Sequence, residues 1–224
     1  MTEKLFTRYE FRTADTPTSI VKGLLDPPSP SLRLAPNVHV VDISSLRSDH
    51  ARNLVVLATL RAMWHVARRQ WWQRHLSGQQ YVRTPFFVVV DEAHHLCPHE
   101  RPDGALANRV RDALVEFAAE GRKYGLWLVI GTQRPTRLHS SVLFESSNLL
   151  LMRTTSPADL DALQRLVGRR GFSVLAKLER KKGFCYLAGE WSNGKLKRAQ
   201  VAERLSMHPE GSFKRDEWVP RKNS

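Results

Sequence analysis

Apolar residues in this chain fall in short unbroken runs, separated by stretches in which they recur every three to four positions. The most pronounced run is Phe86-Phe87-Val88-Val89-Val90, which ends abruptly on two adjacent carboxylates, Asp91 and Glu92. Such a run reads as a strand buried on both faces of a parallel sheet. Residues 126–130 (Leu-Trp-Leu-Val-Ile) and 148–153 (Asn-Leu-Leu-Leu-Met-Arg) read the same way, and 38–43 is a shorter β-branched strand. Between them lie helical patterns. Ser48 or Asp49 caps a helix reaching about His75, with Leu54, Leu57, Leu60 or Arg61, and Trp64 on the face turned to the sheet. Residues 105–123 form a second helix with Leu106, Val110, Leu114 and Phe117 along its apolar face, and Gly121 and Gly125 bracket its end. Residues 138–145 make a short helix or turn. Ser156-Pro157 opens another helix, with proline in its first turn, reaching about Val167, and 171–178 is a further short one. Residues 184–188 and 196–201 flank Ser192-Asn193-Gly194, the signature of a hairpin. Residues 26–30, 78–84 and 98–104 are loops, the last of a length that suits a mobile segment near a site. Strands alternating with helices predict an α/β fold: a mostly parallel sheet, helices on both faces, and a C-terminal β-hairpin.

Composition narrows the class. A chain of 224 residues can bury a sizeable core, with one domain as the default. No apolar run approaches the ~20 residues of a membrane span, and the first residues lack the apolar region of a signal peptide. Cys97 and Cys185 make no disulfide framework, so a reducing, cytoplasmic setting is expected. Lys and Arg total 35 against 22 acidic residues, a formal net charge of +13. That excess favours nucleic acid or another polyanion as partner, through non-specific attraction.

The candidate chemistry lies where the strands end. In open α/β sheets ligands bind beyond the carboxyl ends of the strands, which is where Asp91 and Glu92 fall. One carboxylate on a nucleotide-bound Mg²⁺ and the next polarising a water is the Walker B pattern. The plain alternative is an acidic helix start with Asp91 as N-cap. After the next strand, Gly131-Thr132-Gln133-Arg134-Pro135 places a polar amide where it can touch both a terminal phosphate and an attacking water; a simple turn stopped by Pro135 is the other reading. His94, His95, Cys97 and His99 crowd together, but four candidates within six residues fit a zinc site poorly. Arg68, Arg69 and Arg74 interleave with Trp71 and Trp72, a pattern that can bind single-stranded nucleic acid but more often marks a solvated helix end with half-packed tryptophans.

Four segments together carry a family resemblance: Val-Val-Asp-Glu-Ala-His, Glu-Gly-Arg-Lys-Tyr-Gly, Gly-Thr-Gln-Arg-Pro and Leu-Met-Arg-Thr-Thr-Ser-Pro-Ala-Asp. Their order and spacing across residues 38–205 resemble the HerA/FtsK superfamily of ring-forming DNA-translocating ATPases, on the HerA side. The Asp-Glu-Ala-His tetrad also occurs in DEAH-box helicases, but Gly-Thr-Gln-Arg-Pro stands where those carry Ser-Ala-Thr. The resemblance implies a RecA-like P-loop core working with ATP and Mg²⁺ on DNA, in a hexameric ring. It implies that Asp91 helps hold Mg²⁺, that Glu92 is the general base, and that Gln133 senses the γ-phosphate. Thr132 and Arg134 would contact the nucleotide, with Arg134 alternatively touching DNA or bracing the turn. Arg122 would act as an arginine finger in a neighbouring subunit, or merely cap the helix carbonyls.

One departure stands out. No Gly-x-x-x-x-Gly-Lys-[Ser/Thr] loop occurs; the sole Gly-Lys pair, Gly194-Lys195, lies in the hairpin turn. The backbone cradle and lysine that hold phosphates in P-loop enzymes are therefore not in this sequence. The chain is expected to be the Walker B and sensor half of such an ATPase, inactive alone, acting in a homo-oligomeric ring or with a partner chain carrying Walker A. Residues 1–36 would be an N-terminal extension, 37–205 the half-domain and 206–224 a basic polar tail. The alternatives are a non-catalytic nucleic-acid-binding or regulatory subunit and a module that caps rings of a full-length relative.

Overall fold

A computed structural model of the chain describes residues 7–9, 39–76, 85–154, 156–175 and 183–202. The loops expected at 26–30 and 78–84, most of the N-terminal extension, residues 176–178 and the tail lie outside these. The chain divides into two compact units, residues 1–146 and 147–224.

In the first unit, β1 (Thr7–Tyr9) pairs in parallel with β2 (His39–Val41). The sequence pattern signals β2 but not β1, whose three residues are too few to show a period. Helix α1 spans Asp49–Leu76. Its N-cap is Ser48, whose Oγ accepts the Ala51 N–H at 3.0 Å. The strand β3 (Phe86–Val90) and the strand β4 (Leu126–Ile130) run parallel in the register Phe86↔Leu126 to Val90↔Ile130. Between them α2 (Ala105–Glu120) and a 3₁₀ turn, Gly121–Tyr124, complete a strand–helix–strand unit. The expected helix end at residue 123 is thus a tightened last turn. Gly121 is required there, because a Cβ would stand 2.9 Å from the Leu126 carbonyl oxygen. The short helix α3 (Ser140–Phe144) is capped by His139, whose Nδ1 accepts the Ser141 N–H at 3.3 Å.

The core of this unit gathers Leu57, Leu60, Trp64 and Ala67 of α1, Val110, Leu114 and Phe117 of α2, and Val142 of α3. Phe86, Val88, Val90, Leu128 and Ile130 pack against it from the sheet. Two expectations are corrected. Leu57, Leu60 and Trp64 are buried as expected, but Leu54 is exposed and Val55 takes the buried place in the first turns of α1; the Trp64 ring meets Phe117 of α2 edge-on at 5.2 Å. Nor is β3 buried on both faces: Phe87 and Val89 are 65% and 70% exposed, beside Trp127 and Val129 on β4. Burial therefore alternates, and the continuous apolar run concealed that period.

In the second unit, β5 (Asn148–Leu151), β6 (Phe184–Gly189) and β7 (Lys197–Gln200) form an antiparallel sheet in that order. The Asn-Gly turn is present with both residues at positive φ, Asn193 at 55° and Gly194 at 67°. It sits in a longer connection that includes a 3₁₀ turn, Glu190–Ser192. Helix α4 (Pro157–Leu175) breaks at Gly168, where φ is 73° and ψ 171°. That break separates the two helices expected from the sequence. Leu151 and Leu163 centre this unit's core.

Candidate functional site

The parallel register brings the carboxyl ends of β3 and β4 side by side, and with them the segments 91–94 and 131–134. Backbone bonds lock the two together: Gly131 N–H donates to Val90 at 2.9 Å and Ala93 N–H to Gly131 at 3.0 Å. The loop after β3 is tied to the segment after β4 as well. His99 N–H donates to the Arg137 carbonyl at 2.7 Å and His139 N–H to Cys97 at 2.9 Å. Further along, Asn108 Nδ2 donates to the carbonyls of Pro102 and Gly104, each at 2.8 Å. The loop 98–104, expected to suit a mobile segment, is pinned at both ends.

Asp91 is exposed at the strand end, and its Oδ1 accepts the Glu92 N–H at 2.9 Å. This is not the helix capping weighed as an alternative, because the bond goes to the next residue. Glu92 has φ 45° and ψ 46°, the left-handed region, which costs a non-glycine residue roughly 1–2 kcal/mol. The strained backbone turns its carboxylate toward β4, where Oε2 accepts the Gln133 N–H at 3.3 Å. His94 supports it from the other side, with Nδ1 3.2 Å from the same oxygen and 3.0 Å from Thr132 Oγ1. Burial, reinforced by the neighbouring His95, lowers the His94 pKa, although Glu92 pulls the other way. Thr132 Oγ1 also accepts the Arg134 N–H at 3.1 Å.

At Gly131 a Cβ would stand 3.1 Å from Asp91 Oδ1, so the small residue lets β4 approach the carboxylate closely. Asp91, Glu92, Thr132 and Gln133 are thus brought together, and Arg134 begins the turn that leaves the site. Arg122 is placed elsewhere. It lies in the turn before β4, and the Phe86 N–H to Gly125 bond at 2.8 Å marks that turn as level with the start of β3. A five-residue strand separates it from Glu92, about 16 Å.

A lone exposed carboxylate at this position fits Mg²⁺, which takes one or two protein carboxylates and completes its shell with phosphates and water. Among the described residues no three His, Cys, Asp or Glu side chains converge on a common metal position. Cys97 is 1% exposed, and burial pushes its thiol up to about 12. His94 was legible only as a candidate ligand; the signal for its bracing role is its place two residues after Glu92 on a turn.

The fold is that of a P-loop NTPase. The genome packaging NTPase of Sulfolobus turreted icosahedral virus 2, solved with ATP-γS, superposes over 84% of this chain and 72% of its own, with a TM-score of 0.51 at 16% identity. Its structure with AMP gives a TM-score of 0.50 at 17% identity.

In sequence the chain is HerA-like, and it corresponds to part of such a P-loop ATPase. It is 34% identical over 88 residues to a probable helicase of Methanocaldococcus jannaschii, covering 39% of this chain and 16% of that protein. A probable DNA double-strand break repair helicase HerA from the same organism is 32% identical over 102 residues, 46% of this chain and 19% of that protein. The HerA of Sulfolobus acidocaldarius is 30% identical over 122 residues, 54% and 23% respectively. The chain thus spans less than a quarter of the length of these relatives. No family profile matches it. No described helix is long and apolar enough to cross a membrane.

Proposed function

We propose that this chain is the Walker B and sensor half of a HerA-like, ATP-driven DNA translocase or helicase, working with a P-loop supplied from outside these 224 residues. The observation that carries the reading is the Glu92 carboxylate, held between the Gln133 N–H at 3.3 Å and His94 at 3.2 Å where two parallel strands end together. Bound Mg²⁺ would offset phosphate charge. Asp91 is the residue to hold it, since its carboxylate is exposed beyond the strand end. Glu92 is the general base: the Gln133 N–H and the His94 ring beside it orient the carboxylate. Gln133 senses the γ-phosphate with its side-chain amide while its own N–H fixes Glu92. Thr132 and Arg134 contact the nucleotide beside it. Arg122, one strand length away, serves a neighbouring subunit's site in a ring. DNA is the polymer moved, which the charge of +13 and the names of the relatives support.

The test joins the chain to a P-loop-bearing half, as a co-expressed partner. Glu92→Gln should lower ATP turnover ~10²-fold or more while nucleotide binding persists. Unchanged turnover would remove Glu92 from the chemistry. A complex that binds no nucleotide at all would favour a regulatory, non-catalytic subunit.

A further inference from the structure

On the outer side of α1, away from the site just described, an open groove of about 460 Å³ is lined by Arg61, Trp64, His65, Arg68, Arg69, Trp72 and, from α2, Glu116. That volume is in the range of ligand sites. The α1 positions 61, 65, 68 and 72 recur at helical spacing, so they form one stripe about 16 Å long. Three guanidinium groups face one carboxylate, and that carboxylate is engaged, with Glu116 Oε1 3.1 Å from Arg68 Nη2.

The groove is built, not merely charged. The Arg68 guanidinium lies over the Trp64 ring at 4.6 Å and over Tyr124 at 5.5 Å, which holds its fork in place. Arg61, His65 and Arg69 are exposed. Trp72 is 54% exposed, and its ring is set edge-on to Trp71 at 5.0 Å, with Trp71 stacked on His75 at 5.1 Å. A large aromatic is thereby held out in a fixed orientation among cations. A second observation is independent of charge. Trp64 is 6% exposed, and its buried indole N–H has no acceptor among the described residues. A buried donor left unpaired is costly, so it marks a place where an acceptor is missing.

We infer that this groove binds single-stranded nucleic acid: Arg61, Arg68 and Arg69 track the phosphates, and an exposed base stacks on Trp72. An acidic peptide would use the cations but not the aromatic face. A duplex keeps its bases stacked on one another and cannot offer one to Trp72. The inference does not rest on the nucleotide-handling role of Asp91 and Glu92. Arg68 packs on Tyr124, just before β4 begins, so the groove lies near the start of that strand, the end away from Glu92.

The experiment measures anisotropy of a fluorescein-labelled oligo(dT) and of a matching duplex with the full chain, without nucleotide, at two salt concentrations. Arg61→Glu with Arg69→Glu should weaken oligo(dT) at least tenfold and flatten the salt slope by about 1.4, twice the ~0.7 per phosphate contact of single strands. Trp72→Ala should weaken oligo(dT) at least about fivefold and leave the duplex within twofold, and Trp72→Phe should restore binding. Lys195→Glu with Lys197→Glu, remote in sequence and exposed, is the control for diffuse charge. Unchanged melting temperatures establish that these surface variants fold. The inference falls if the lysine pair loses as much affinity as the arginine pair, if Trp72→Ala affects duplex and single strand alike, or if oligo(dT) does not bind at low salt.

Discussion

Replacing Phe117 by alanine removes the largest fully buried side chain of the first unit, which is 1% exposed. Phenylalanine-to-alanine changes in cores cost about 3–5 kcal/mol, the spread reflecting how far the surroundings collapse into the gap. Here collapse is restricted. Leu114 and Val110 on the same helix, Leu126 on β4 and Trp64 on α1 are each fixed by their own elements in the same cluster. The change also deletes the edge-to-face contact with Trp64 at 5.2 Å, and such contacts add about 0.5–1.5 kcal/mol beyond area. The upper half of the range, ~4–5 kcal/mol, is therefore expected. For a chain of this size each kcal/mol moves the melting temperature by roughly 2–4 °C, so a fall of about 8–20 °C follows. Thermal melts followed by tryptophan fluorescence report the change, because Trp64 is the ring that loses its neighbour. Phe117→Leu, which keeps most of the volume, should lose far less. A Phe117→Ala melt within about 2 °C of the parent would refute the packing described here.

Acidification should destabilise the first unit below about pH 6.5, the usual histidine value. His94 and His139 both have pKa values lowered chiefly by burial, so the unfolded chain takes up protons that the folded chain does not. Stability is then full above pH 6.5 and declines as the pH drops toward the folded values. Denaturant titrations at pH 7.5 and 5.5 check this, and a stability that rises toward pH 5.5 would contradict it; His139→Asn, which keeps a cap for α3, should flatten the decline. Gly189→Ala should disrupt the second unit, because φ is 107° there and a Cβ would lie 2.1 Å from the Ser147 carbonyl oxygen. Loss of β5–β6 pairing in amide exchange is the readout, and unaltered protection of Leu149–Leu151 would show that the backbone absorbs the change.

What the sequence determined by itself was local. Ser48 at the head of α1, the paired glycines 121 and 125, the limits of β3 and β4, and the glycine break in α4 all follow from chemistry within a few residues. The same holds for the position of Asp91, Glu92 and Gln133, because polar residues within three positions of the end of an apolar run fall at a strand end. What only the tertiary structure decided depends on pairing across the chain. The register Val90↔Ile130 sets Glu92 against Gln133, residues 41 positions apart, and no local pattern carries that information. The same pairing set His94 as a brace and sent Arg122 to the far end of β4. It also decided which face of β3 is buried, since an unbroken run of Phe and Val looks alike from either side. The groove on α1 is legible in part, as interleaved arginines and tryptophans. Its shape required α2, which brings Glu116 and buries Trp64 with its N–H unpaired.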